Sequence, residues 1–126
     1  MSYSYAKLDR RHKLKITYRD YTAILRNYEV DFIIETTDKM YLTETKADRD
    51  INSPNVAVKT RAAVAWCDQA STVIQPGDFN QPQGWEYLIL SESQFKNNRG
   101  LSFEGLILLC RGLRENILAQ AESRLL

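Results

Sequence analysis

Residues 13–18 alternate Leu14, Ile16 and Tyr18 with Lys13, Lys15 and Thr17, the period-two pattern of a strand with one buried face. Residues 30–36 (VDFIIET) and 39–46 (KMYLTETK) are compact runs rich in strand formers. The polar stretch Thr36-Thr37-Asp38-Lys39 between them is short enough for a hairpin turn. A helix is predicted from Ser53-Pro54 to about Ser71. Serine is a favoured N-cap, and proline is tolerated at the first helical position because its missing N–H had no partner there. Ala57, Ala62, Ala63, Ala65 and Ala70 let this helix pack closely on a sheet. Gln75-Pro76-Gly77-Asp78 and Gln81-Pro82-Gln83-Gly84 are turn signals that bracket a loop. Residues 85–90 (WEYLIL) predict a further strand. Ser102 caps a last helix carrying Leu106, Leu109, Leu113 and Ile117 at helical spacing.

The predicted order is strand, strand, strand, helix, strand, helix, an α/β layer in which a hairpin-rich sheet is covered by helices. The link from the third strand through the helix to residues 85–90 reads as a right-handed crossover, which makes that strand pair parallel.

Composition narrows the function classes. The 126 residues suit a single domain spanning 1–126, and 44% hydrophobic with 26% charged residues is a globular balance that argues against disorder. No apolar run approaches the ~18 residues of a membrane span, and residues 1–11 lack the apolar stretch of a signal peptide. A cytoplasmic location is the expectation. Cys67 and Cys110 lie far apart in apolar patterns and read as reduced core residues. The single histidine, His12, excludes a multi-histidine zinc site and argues against a Ser-His-Asp triad. The chain has no GxxxxGK[ST] phosphate loop. The net charge of +1 conceals an asymmetry. Residues 1–27 hold seven Lys/Arg against two acids, whereas residues 28–54 hold three bases against seven acids. A basic arm beside an acidic cluster suits a site for a polyanion and cations, although a solvated charged surface has the same composition.

The chemistry-bearing constellation is Asp31, Glu44 and Lys46. In a hairpin, directly opposed residues have a constant sum of residue numbers. A turn centred between Thr37 and Asp38 fixes that sum at 75, the sum for Asp31 and Glu44. The two carboxylates then face one another roughly 5 Å apart at Cβ. Lys46, two residues beyond Glu44, shares their side of the strand; a one-residue bulge would break this parity. Both strands carry apolar residues on both faces and so read as interior strands, where acids are costly. Paired carboxylates of this kind suit Mg²⁺, which accepts one or two of them, keeps waters and shares a phosphate oxygen. Such an ion activates a bound water, and a nearby lysine orients it or offsets charge on the phosphate. The reaction class is hydrolysis of a phosphodiester. As a bare string (D/E)xK is expected about 0.9 times by chance at this composition, so placement within the strand carries the signal. The alternative is a surface strand with a local Glu–Lys pair.

These residues resemble a known family. Residues 28–34 (YEVDFII), 41–46 (YLTETK), Lys59 with Ala62-Ala63 and Trp66-Cys67, and residues 85–90 (WEYLIL) are similar to the C-terminal PD-(D/E)xK endonuclease domain of type III restriction enzyme Res subunits. Val30 stands where the family's Y-x-P-D-F motif has proline. The resemblance covers roughly residues 13–95. It implies a restriction-endonuclease-like mixed β-sheet flanked by helices, with the N-terminal helix short or absent. It also implies Mg²⁺-dependent cleavage of DNA, with Mn²⁺ as a substitute. Asp31, Glu44 and Lys46 fall on the family's catalytic positions, and Lys59 falls where related nucleases place an auxiliary polar residue. Its implied partners are DNA, a helicase-like motor region and a methyltransferase subunit. Two other readings are a catalytically inert nucleic-acid-binding or docking module that kept the fold, and a PD-(D/E)xK repair or transposition nuclease.

Of the remaining residues, Trp66 and Cys67 read as core packing. Trp85 and Tyr87 read as sheet residues with polar tips near the surface. Asp48 and Asp50 read either as a solvated loop or as outer ligands of a metal. Lys13 and Lys15, with Arg10 and Arg11 before them, are placed to contact phosphates.

Overall fold

The chain is described by a computed structural model covering residues 3–7, 14–20, 22–36, 38–72 and 84–125. Arg10, Arg11, His12, Lys13 and the turn signals at residues 75–83 lie outside the described residues.

The elements run β1 (Tyr3–Lys7), β2 (Lys15–Arg19), β3 (Leu25–Glu29), β4 (Phe32–Thr36), β5 (Met40–Lys46), α1 (Pro54–Ser71), β6 (Trp85–Ser91), α2 (Glu92–Asn97) and α3 (Phe103–Leu125). A short 3-10 turn at Asp48–Asp50 separates β5 from α1. The main sheet is mixed, in the order β1-β4-β5-β6, and β2 with β3 forms a separate two-stranded sheet. The molecule is therefore a mixed α/β fold with a small mixed sheet flanked by helices. The sequence pattern predicts three strands ahead of α1, and the described residues form five. The strand predicted at residues 13–18 does not join the main sheet; it is β2, and its partner is β3. Only Tyr28 of β3 is buried, so that strand carries no alternation to detect. β1 takes the place beside β4 instead.

The β4–β5 hairpin has the predicted register, with Phe32 opposite Thr43 and Ile34 opposite Tyr41. Thr36 closes its turn: its N–H and hydroxyl donate to the Lys39 carbonyl at 2.9 and 2.8 Å. β5 and β6 are parallel, Leu42 beside Tyr87 and Glu44 beside Ile89. Alternation along these strands divides the core in two. Leu42, Tyr87 and Ile89 face α1, the β2–β3 hairpin and the Ile117–Ala121 end of α3. Tyr41, Leu88 and Leu90 face Ile107 and Cys110 at the start of α3. Helix α3 thus passes from one core to the other beside β6, which accounts for an edge strand buried on both faces.

The caps follow the predicted chemistry. The Ser53 hydroxyl accepts from Val56 N–H at 3.3 Å, with Pro54 at the first helical position. Val56, Thr60, Ala63 and Cys67 form the buried stripe of α1. Ser102 accepts from Gly105 N–H at 3.1 Å and starts α3. Helix α2, absent from the predicted order, begins with a reciprocal capping box between Ser91 and Gln94. Cys67 and Cys110 are free and buried, and burial pushes their thiols up to about 12 and about 11. Among the described residues no helix is long and apolar enough to cross a membrane.

Candidate active site

Alternation along β5 sends Leu42, Glu44 and Lys46 to the α1 side of the sheet. Leu42 belongs to the core, whereas Glu44 carries a carboxylate into the same layer with only 3% of its surface exposed. An ionised carboxylate in such a place costs several kcal/mol unless it is paired and hydrogen-bonded. Three groups surround it. The Tyr28 hydroxyl donates to Glu44 Oε2 at 2.6 Å and the Tyr87 hydroxyl donates to the same oxygen at 2.8 Å. Lys46 Nζ lies 3.3 Å from the other oxygen, Oε1. The three groups come from three strands: β3 supplies Tyr28, β6 supplies Tyr87 and β5 supplies Lys46.

Asp31 lies one residue ahead of β4, where the ladder extended by one step sets it opposite Glu44. Its side chain is exposed, and its Oδ2 accepts from the Thr45 N–H at 3.3 Å. Partial desolvation of the carboxyl and the negative charge of Glu44 raise its pKa, against the pull of the Thr45 N–H and the Lys46 and Lys59 ammoniums. Asp31 and Glu44 therefore sense one another electrostatically, one at the rim and one in the floor. The Tyr28 and Tyr87 hydroxyls are both held well above their ordinary range, foremost by burial. They remain protonated donors.

Lys59, on α1, does not reach the carboxylates; its ammonium lies 5.7 Å from the centre of the Tyr28 ring. Asp48 does not join the pair either. Its Oδ1 accepts from Ser93 N–H at 3.1 Å, which tethers the turn after β5 to the start of α2. Asp50 is exposed. Trp66 is half-buried and stacks edge-on against Trp85, with ring centres 5.1 Å apart. The expectation that Tyr87 holds its polar tip near the surface is overturned. The residue is 1% exposed and its hydroxyl is spent on Glu44. Tyr28 and Tyr87 are the contacts of Glu44 that the sequence reading missed. For Tyr87 a signal existed, since setting residues 85–90 parallel to 40–45 puts it on the Glu44 face.

Two carboxylates with hard oxygen donors suit a small divalent cation of the Mg²⁺ type. The tyrosines occupy Oε2 of Glu44 and Lys46 faces Oε1, so a metal would share Oε1 with the Lys46 ammonium and take the exposed Asp31 carboxylate. Among the described residues no group of three or more His, Cys, Asp and Glu side chains comes together. A cation placed here would have only two protein carboxylates, Asp31 and Glu44, and would otherwise need water or substrate oxygens. The sequence matches no protein-family model, no curated protein and no solved structure.

Proposed function

We propose that the domain is a Mg²⁺-dependent DNA endonuclease of restriction-endonuclease-like fold, similar to the nuclease domain of type III restriction enzymes. The observation that carries the reading is the meeting of Asp31, Glu44 and Lys46 at the end of two interior strands, with Lys46 Nζ 3.3 Å from Glu44. Asp31 and Glu44 would hold the cation, with Mn²⁺ as a substitute. When bound, it supplies charge for the phosphoryl oxygens and lowers the pKa of a water. Lys46 orients the attacking water and offsets the charge that grows on the phosphate. The water oxygen bonds to phosphorus, the bond to the leaving sugar oxygen breaks, and solvent takes up and returns the protons. Tyr28 and Tyr87 keep the Glu44 carboxylate fixed in orientation while this happens. Lys59 adds positive charge behind Tyr28. The family resemblance adds a helicase-like motor region and a methyltransferase subunit as partners.

One observation favours a second reading, that of an inert DNA-binding or docking module. Glu44 is already satisfied by two hydroxyls and one ammonium, which is how a purely structural buried carboxylate would be built. Cleavage of supercoiled plasmid separates the two. The nuclease reading requires nicking in Mg²⁺ or Mn²⁺ and none in EDTA or Ca²⁺. Lys46→Ala should lose about 10²–10³-fold in rate while still binding the cation, because an ammonium is never a metal ligand. Equal nicking in EDTA, or undiminished turnover by Lys46→Ala, contradicts it.

A further inference from the structure

A polar groove of about 500 Å³ runs between the β2–β3 hairpin and α1, lined by Tyr18, Arg26, Asn27, Asn55 and Lys59, with Asp20 and Thr22 at the hairpin tip. It begins where the site ends. Lys59 lines the groove and also lies against Tyr28, whose hydroxyl binds Glu44. From there two rows step away together. On β3, Arg26 is two residues from Tyr28 on the same face, about 6.7 Å along the strand. On α1, Asn55 is one turn before Lys59, about 6 Å along the helix. A nucleic-acid backbone presents its phosphates with a step of the same order.

The charges in this groove are arranged for an anion. Asp20 is consumed: its Oδ1 accepts from Thr22 N–H at 2.9 Å, the Thr22 hydroxyl at 2.6 Å and Ile24 N–H at 3.0 Å, and its Oδ2 accepts from Arg26 Nε at 2.9 Å. Arg26 commits only Nε to that pair and has 56% of its side chain exposed. Lys59 is half-buried, and among the described residues it forms no salt bridge. Asn27 accepts from the Thr17 hydroxyl at 3.1 Å on the opposite face of the hairpin, so it borders the groove without supplying a donor to it. Among the described residues, a half-buried ammonium in no salt bridge is thus flanked by an exposed guanidinium and the Asn55 amide, donors suited to an anion.

We infer that this groove seats the phosphodiester backbone of the DNA strand on one side of the cut bond, one or two nucleotides from Asp31 and Glu44. Lys59 takes the nearer phosphate, Arg26 the next, and Asn55 donates to a phosphate oxygen between them. The inference rests on the nuclease reading for its substrate. It gives that substrate a direction, with the strand leaving the site along the hairpin rather than along the α2 side.

Asn55→Asp tests it well. Asn55 is exposed at the second position of α1, and the first turn of α1 contains no acid. An aspartate there suits the helix N-terminus, so the substituted protein should melt no lower than wild type. In the groove the same charge repels phosphate. Affinity for a labelled DNA duplex, measured by fluorescence anisotropy in EDTA at low salt, should fall about five- to tenfold. Lys59→Gln, which removes the groove's half-buried cation, should fall similarly. Asn116→Asp makes the same charge change on exposed α3 outside the groove and should bind within twofold of wild type. Groove variants that bind as Asn116→Asp does overturn the inference, as does a wild type with no measurable DNA affinity. Because binding is read in EDTA, the outcome is separate from cleavage. Loss of nicking in Lys46→Ala together with unaltered groove variants removes the groove alone. Groove-dependent binding without any nicking removes the nuclease alone.

Discussion

Glu44 is the residue on which the account turns. Its neighbour Asp31 was legible in the sequence because a hairpin with a centred turn fixes every opposed pair, and the β4–β5 register follows that arithmetic. Its other contacts were not. Tyr28 reaches Glu44 only because the β2–β3 hairpin folds over the end of the main sheet, a tertiary event that no local pattern encodes. The two hydroxyls share Oε2, so removing either leaves a buried carboxylate with one donor fewer. Tyr28→Phe and Tyr87→Phe should each cost about 1–2 kcal/mol at pH 7, measured by urea denaturation. Each should also weaken the apparent Mg²⁺ affinity, because the carboxylate is then free to turn. A Tyr87→Phe protein as stable as wild type would show that its hydroxyl contributes nothing to holding Glu44.

At the scale of elements, the segments with strong periodicity or cap chemistry were readable: α1 behind Ser53-Pro54, α3 behind Ser102, and the parallel β5–β6 pair. β3 was not, since its pattern of one buried residue in five carries no period. Nor was the polar clamp that ties α3 to β6. Glu86 accepts from Arg111 Nε and Nη2 at 2.7 and 2.9 Å, from Arg114 Nη1 at 2.8 Å and from Lys39 Nζ at 3.2 Å. Burial alone would raise the Glu86 pKa, but these cations win and lower it to about 2. A carboxyl held below its unfolded value stabilises the fold above the unfolded pKa and loses that contribution as pH falls through the folded one. Glu86→Gln should therefore cost on the order of 3 kcal/mol at pH 7. The gap to wild type should narrow between about pH 4.5 and pH 2. A difference that stays constant across that range, measured by chemical denaturation, would mean the clamp is not electrostatic.

For the whole molecule, the mixed sheet with helices on both faces puts the acidic pair at the ends of two interior strands, beneath a hairpin that belongs to another sheet. That arrangement lets global stability report on the site. The raised pKa of Asp31 means that its charge is unwelcome in the folded protein without a cation, so its ionisation weighs against folding as pH rises above the ordinary carboxylate range. Neutralising it by Asp31→Asn keeps an acceptor for the Thr45 N–H and removes the repulsion from Glu44. On the proposed metal site, a bound ion would restore the balance in the wild type by mass action, worth about 2.7 kcal/mol at a hundred times its dissociation constant. The most direct measurement is a thermal melt of wild type and Asp31→Asn, each in EDTA and across a Mg²⁺ titration near neutral pH. A cation shared by Asp31 and Glu44 predicts that Asp31→Asn melts higher than wild type in EDTA, and that Mg²⁺ raises the melting temperature of the wild type much more than that of Asp31→Asn. A lower melting temperature for Asp31→Asn in EDTA, or equal Mg²⁺ shifts in the two proteins, would contradict a shared metal site.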